Sequence, residues 1–366
     1  MGTPSWLGPL AALIDNTLPV QSAPAVAGLI GDHPSTYARS PRIWTPAFAA
    51  MGIDATYVPL DVSVERLPAL MRWMKDTAAC LGANVTTPYK AEVLRHLDGV
   101  DRTASAVGVV NTIVRQPDSE LIGTNTDAAG VLAALRHHES GGPLARKLAG
   151  LRVLLLGAGG AARAAAVALA TRLGHGEMLI VNRHHDRALE LAGRVSSLGG
   201  RALAVPDAGL DAHLGDVDLV INASLCGQAG IQKRAGGWTC LEPYSALAPA
   251  SPAVLSAARD EEFHAEWLAR SASDIQMNHA VSRARVRLLP REAAVCDMIY
   301  APLETVTIRH AREAGRRAAN GRWMNIAQAV EAFVEHVCRG ILETRGVDRR
   351  IARRRIERVM ARAWDT

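Results

Sequence analysis

The sequence predicts an α/β chain of two domains, and three observations carry that prediction. Short apolar runs alternate with helical stretches through the first 130 residues. A second alternating series begins near Leu151. Its first strand, Arg152–Leu156, runs straight into a glycine turn, Gly157-Ala158-Gly159-Gly160-Ala161. Strands separated by helices imply largely parallel sheets, and 366 residues suffice for two cores.

Residues 1 to about 22 lack periodicity and read as a loose extension or short helix. Val26–Gly31 is a short buried strand ending in glycine. After Pro41 come a helix over Ile43–Met51, a strand over Ala55–Leu60, a helix over Leu67–Leu81 and a strand end at Gly82–Val85. Val109–Val114 and Leu121–Gly123 pair as a hairpin around Pro117-Asp118. The second series places strands at Arg152–Leu156, Met178–Asn182, Ala202–Val205 and Leu219–Asn222, in the proportions of a Rossmann-type nucleotide-binding half. From Gln228 to Pro290 the pattern is irregular, with a helix around Ala253–Leu268, and reads as an insertion. Regular patterning resumes at Val295–Pro302. No internal repeat is visible.

An apolar share of 49% and a charged share of 21% describe a soluble globular protein. The five cysteines show no CxxC pairing, and no histidine falls at metal-ligand spacing, so no metal site is expected and free thiols in a reducing compartment are. The pairs His137-His138 and His184-His185 read as surface. With no leader pattern and no apolar run of membrane-spanning length, a cytoplasmic location and no membrane partner are expected. The net charge of +5 is concentrated at the C-terminus, where Arg345–Thr366 carries eight Arg against three acids. Ile351, Ile356, Val359, Met360 and Ala363 recur at near-helical spacing there, which predicts an amphipathic helix with a solvated Arg face. A nucleic-acid-binding tail is the alternative, and nucleic acid is not the expected partner.

Two polar clusters follow strands in the first half: Asn84-Val85-Thr86-Thr87-Pro88-Tyr89-Lys90 and Gly123-Thr124-Asn125-Thr126-Asp127. Lys90 and Asp127 form a candidate proton-transfer pair, because hydride reduction of a ketone needs a proton donor at the forming alkoxide and a carboxylate can position a lysine for it. Asn84, Thr86, Asn111, Asn125 and Thr126 add uncharged donors and acceptors suited to a polyhydroxylated ligand. The turn at Gly157, Ala158, Gly159, Gly160 and Ala161 lets the backbone approach a pyrophosphate at a helix N-terminus. Its third fingerprint position is Ala162. At the next strand end stand Asn182, Arg183 and Arg187, where a basic pair favours the 2′-phosphate of NADP over the ribose diol of NAD; Asp186 lies too far past the strand for the diol.

These motifs, in this order, resemble the shikimate dehydrogenase family, which includes quinate and aminoshikimate dehydrogenases. The resemblance runs from about Gly28 to Gly340 and rests on Asn84–Lys90, Gly108–Thr112, Asn125–Gly130, Gly157–Ala162, Asn182-Arg183, Asp297–Thr305 and Gly321–Gln328. It implies an N-terminal α/β substrate domain over 23–130 with 321–345 packing back onto it, and a Rossmann-type NADP-binding domain over 131–320 with an insertion at about 228–290. An Arg-rich tail, 346–366, follows. It implies Lys90 and Asp127 as the catalytic pair, Ser40, Thr86, Asn111, Tyr300 and Gln328 on the substrate, and Met298 and Gly321 near the nicotinamide. The expected reaction is reversible hydride transfer between NADP(H) and a cyclic hydroxy acid, by a monomer or homodimer. A paralogue acting on quinate, aminoshikimate or another shikimate-like compound, and a non-catalytic ligand sensor with a nucleic-acid-binding tail, are the alternatives.

The chain departs from the family pattern in several places. Ala38-Arg39-Ser40-Pro41 lacks the first hydroxyl of a Ser-x-Ser/Thr-Pro loop that holds a carboxylate, a loss of roughly 1.5–3 kcal/mol. Trp44-Thr45 replaces His-Asn, and Asn222–Gly227 replaces Asn-x-Thr-Ser-x-Gly. The carboxylate end of the substrate site is therefore expected to be remodelled.

Overall fold

The computed structural model describes residues 3–18, 22–137, 144–256 and 261–365. The chain divides into two compact units, Met1–Gly130 with Asn325–Thr366, and Val131–Met324.

The first unit begins with α1 (Leu7–Ala11), β1 (Ala25–Gly31), α2 (Ser40–Ala50), β2 (Ala55–Asp61), α3 (Leu67–Asp76) and β3 (Cys80–Val85). It continues through β4 (Gly99–Val100), α4 (Arg102–Val107), β5 (Thr112–Arg115) and β6 (Leu121–Thr124) to α5 (Asp127–Arg136). Six strands form one sheet in the order β2-β1-β3-β5-β6-β4. β1 runs parallel to β2 and β3, but β5 is antiparallel to β3 and β6, so the sheet is mixed where a largely parallel one was expected. The hairpin link of five residues is too short for a parallel crossover. α3 stops at Asp76, short of the expected Leu81, because Thr77 turns to an extended backbone and Cys80 already pairs with β1. α2 starts earlier than expected, at Ser40, with Pro41 in its first turn. Trp44, read from the sequence as marking an altered carboxylate end, is a core residue with 1% exposure. Its ring stacks on Tyr57 at 4.8 Å and packs beside Phe48 and Phe333.

The second unit carries β7 (Arg152–Leu156), α6 (Gly160–Ala170), β8 (Glu177–Val181), α7 (His185–Ser197), β9 (Ala202–Ala204) and β10 (Leu219–Asn222). After these come β11 (Ile231–Arg234), β12 (Gly237–Cys240), α8 (Glu261–Leu288), β13 (Ala294–Asp297), α9 (Val306–Glu313) and β14 (Arg317–Ala319), and then α10 (Arg322–Glu331), which starts in this unit and runs on into the first from Asn325. Its six-stranded sheet is parallel throughout, in the order β14-β13-β10-β7-β8-β9. That is the Rossmann order, with the direction of winding reversing between β7 and β10. Small side chains on α6, including Ala162, Ala165 and Ala166, are buried and let it lie close on the sheet.

The stretch from Gln228 to Pro290 is more regular than its sequence suggests. It holds the β11–β12 hairpin and the 28-residue α8, in place of a helix at Ala253–Leu268. Leu255, expected inside that helix, instead bridges to Trp238 on β12. α8 seats its inner face through Phe263 and Trp267 in an apolar cluster, and through polar anchors farther along. Asn278 Nδ2 donates to the carbonyls of Ser245, Ala248 and Pro249 at 2.9–3.2 Å. Arg285, 5% exposed, reaches Asp207 and Asp211 at 2.7 Å each.

One of these anchors predicts a pH response. Ser282 Oγ lies 2.9 Å from Nδ1 of His310, a buried ring on α9. Burial, then the charges of Arg283 and His279, lower its pKa to about 4. The unfolded chain takes up this proton below about pH 6.5 and the folded chain only below about 4. Stability present at neutral pH is therefore lost as pH falls through that window, by at most about 3 kcal/mol from this group. Urea unfolding at pH 7 and 4.5 should show a smaller difference for His310→Gln than for the parent; identical differences would refute the assignment.

The C-terminal segment closes the first unit. α10 passes into a wide helical turn over Ala332–Val337, then α11 (Arg339–Thr344) and α12 (Arg349–Trp364). α12 buries Ala352, Ile356, Met360 and Trp364 and packs on α2, where the Arg39 guanidinium sits 5.3 Å from the Trp364 ring. Ile351, expected to face inward, is 66% exposed because Ala352 takes the inward position.

Candidate active site

In the first unit, backbone pairing fixes the segments that carry the polar clusters. Thr86 N–H donates to Ile30 O (2.9 Å), and Val110 N–H donates to Lys90 O (2.8 Å). A Cβ on Gly31 would collide with the Thr86 methyl, so the glycine ending β1 is what admits Thr86. Asn111 lies between β3 and β6, its N–H donating to Thr124 O and its carbonyl accepting from Val85 N–H.

These positions bring Lys90 and Asp127 together: Nζ donates to Oδ2 at 2.5 Å, with the lysine side chain 23% exposed and the carboxylate 6%. Asp127 opens α5, where the helix dipole favours a negative charge. Its other oxygen, Oδ1, accepts from Asn111 Nδ2 at 2.8 Å. The same amide reaches Thr126 Oγ1 (3.0 Å) and Gln328 Oε1 (3.4 Å), while Asn111 Oδ1 accepts Thr126 N–H (2.8 Å). Thr126 Oγ1 also donates to Gln328 Oε1 at 3.2 Å. Behind them, Tyr57 OH donates to Asn84 Oδ1 (2.7 Å), and Asn84 Nδ2 donates to Thr112 Oγ1 (2.9 Å). Burial raises the pKa of the Tyr57 hydroxyl well above its ordinary value, with Ser40 and Asn84 acting in the opposite sense. Tyr57 was not picked out from the sequence, where it looks like an ordinary strand residue, and Thr112 stood there only as the end of the Gly108–Thr112 motif, without this role.

In the second unit, Gly157 follows β7 with φ +110°, and a Cβ on it would crowd Ala223 O at 3.0 Å in the turn after β10. The strand ends at the switch point can approach this closely only through glycine. α6 begins after Gly159 with no side-chain cap and no acid in its first turn, so its N–H groups are free for an anion. Asn182 Nδ2 donates to His184 O (2.9 Å), shaping the turn that exposes Arg183 and Arg187. Arg234, at the end of β11, was missed: burial, then the like charge of Arg183, hold its guanidinium below its ordinary pKa. The inserted hairpin thus carries a third cation to the Arg183 side. No sequence signal marks this, because the electrostatic interaction joins segments about fifty residues apart.

Asn222 and Asp297 end neighbouring strands and share a hydrogen bond of 2.9 Å. Asp297 also accepts from Thr305 Oγ1 (2.7 Å) and Ile299 N–H (3.0 Å), yet burial pushes it up to about 6. Asn222 Oδ1 holds the altered loop by accepting from Ser224 N–H and Oγ. Burial, then Asp297, push the Cys226 thiol up to about 12, which leaves it unreactive at neutral pH. Gly321 N–H donates to Ile299 O, and a Cβ on Gly321 would strike Met298 O. Met298, Tyr300 and Gly321 therefore lie in one stretch of the second unit, while Lys90, Asp127, Ser40, Thr86, Asn111 and Gln328 belong to the first.

Among the described residues, no group of three His, Cys, Asp or Glu side chains could hold a metal ion, and no helix is long and apolar enough to cross a membrane.

Two family models match the chain: shikimate dehydrogenase substrate binding domain over residues 29–113, and shikimate / quinate 5-dehydrogenase over 142–235. The NADP(+) shikimate dehydrogenase of Rubrobacter xylanophilus is 36% identical over 309 residues, covering 84% of this chain and 89% of the relative. The chain belongs to the shikimate dehydrogenase family. Among solved structures of the family, shikimate 5-dehydrogenase from Thermus thermophilus, in complex with NADP(H) and shikimate, matches with a TM-score of 0.61. It is 28% identical, over 93% of this chain and 99% of that one. Quinate dehydrogenase from Corynebacterium glutamicum, in complex with NAD, matches with a TM-score of 0.63 and 25% identity, over 90% and 98% of the two chains. Family members of this fold thus include enzymes named for different cyclic acids and captured with different nucleotides.

Proposed function

We propose that this shikimate dehydrogenase family member is an NADP-dependent enzyme that reversibly oxidises one ring hydroxyl of shikimate or a close cyclic hydroxy acid. The observation that carries this reading is the division of labour at Asp127, with one oxygen held by Asn111 and the other bonded to Lys90. A carboxylate fixed on one side presents a lysine in a single orientation, which proton transfer at a substrate oxygen requires.

In the oxidation direction, Lys90 Nζ takes the hydroxyl proton; in reduction it returns that proton to the forming alkoxide. Bound NADP would supply or accept the hydride. Gly157, Ala158, Gly159, Gly160 and Ala161 with the α6 N-terminus would hold its pyrophosphate, and Asn182, Arg183, Arg187 and Arg234 its adenosine phosphate. Met298 and Gly321 would lie at its nicotinamide. Thr86, Asn111 and Gln328 would hold ring hydroxyls, and Ser40 and Tyr300 the carboxylate. In a cytoplasmic enzyme, residues 23–130 with 325–345 would form the substrate domain and 131–324 the NADP domain, because 321–324, expected with the first domain, fall in the second unit. The relatives' own cofactor and substrate support these assignments.

Steady-state assays of shikimate, quinate and amino analogues with NADP and NAD test the reading. One cyclic hydroxy acid should turn over with NADP at least about tenfold more efficiently than with NAD. Preference for NAD would sink the nucleotide assignment, and binding without turnover would favour a sensor.

A further inference from the structure

We propose that two copies of this chain associate antiparallel along the outer face of α8. The inner face of this helix is committed to the second unit through Phe263, Trp267, Asn278 and Arg285. The opposite face carries Ala265, Ala269, Ala272, Ala280 and Ala284, all exposed, beside Met277 at 65% exposure. These recur at spacings of three, four and eight along a helix about 42 Å long. A solvent-facing helix ordinarily fills such positions with long charged side chains. Alanines here leave a smooth surface on which a second backbone can lie close.

Charge selects the occupant. The acids on this face, Glu262 and Glu266, lie near the N-terminus of α8, and the bases Arg283 and Arg287 near its C-terminus. A two-fold axis between Asp274 and Ile275 sets Glu262 opposite the second copy's Arg287 and Glu266 opposite its Arg283. The same axis sets Ala265 against Ala284, Ala269 against Ala280, and Met277 against Ala272. Opposite charges meet at both ends, small residues meet small ones, Met277 meets an alanine and the exposed Gln276 meets Ser273. A parallel pair would set like charges together. The face is thus self-complementary in the manner of an isologous interface.

Within one chain Glu266 bonds Arg270 (2.5 Å) and Arg283 approaches Glu313 (3.5 Å). Both pairs are solvent-exposed and exchange partners at little cost. Acids at the start and bases at the end of a helix also suit its own dipole, so the test must separate pairing between copies from stabilisation within one.

Two full-length variants do this. Glu262→Arg/Glu266→Arg makes the face wholly basic, and Arg283→Glu/Arg287→Glu makes it wholly acidic. By sedimentation velocity over a concentration series, the parent should be a dimer. Each variant alone should weaken association by roughly 100-fold. An equimolar mixture should restore the dimer, because every facing pair is again of opposite sign. Far-ultraviolet circular dichroism verifies that α8 remains helical. A parent that stays monomeric, a dimer that survives either reversal, or a mixture that fails to recover association would each overturn the proposal.

Discussion

Lys90→Ala should lower kcat by roughly 10²–10⁴-fold, the range for loss of a positioned acid–base group. NADP affinity, measured by fluorescence titration, should change little, because the cofactor residues proposed for the phosphates lie in the other unit. The pH–rate profile should also lose the limb that reports this proton. Asn111, itself bonded to Thr126, would still hold Asp127 in the variant, so the carboxylate keeps its seat when the lysine is gone. Unchanged turnover would refute the assignment of Lys90. A large fall in NADP affinity would instead mean that the substitution had disturbed the fold.

The second large effect is expected at the cations beyond β8. Arg183→Ala should raise KM for NADP by roughly one to two orders of magnitude, as loss of a charge-assisted phosphate contact does. KM for NAD should barely move. Arg234→Ala should shift the same ratio in the same direction by a smaller factor, since Arg234 shares the local field with Arg183. Measuring kcat/KM for both nucleotides separates a phosphate clamp from general damage. If both nucleotides lose equally, neither arginine discriminates between them.

Much of this site was legible in the sequence because its chemistry clusters locally. Lys90 closes a run that begins on β3, and Asp127 begins the helix that follows β6, so strand ends announce both. Gly157 was legible for a different reason, since few residues other than glycine accept its φ of +110°. Gln328 came only from the family resemblance: it meets Asn111 across 217 positions, and nothing local marks it. Arg234 was hidden for the same reason. α8 was misplaced because Ser271, Asn278, Ser282 and Arg285 are buried on its inner side, which erases the apolar period that marks a helix. Trp44 misled in the opposite sense, being read as a ligand-end substitution when its ring is sealed in the core.

The long separation between Asn111 and Gln328 bears on synthesis. The first unit is built from both ends of the chain, while the second is one continuous run from Val131 to Met324. On the ribosome, the continuous unit can gather all its strands before the C-terminal helices exist. The first unit must wait, with the groove for α12 on α2 uncovered and Gln328 not yet made. Contacts spanning 217 and 325 residues carry a large loop-closure cost and form late. The proton-transfer pair would therefore gain its last neighbour only as translation ends.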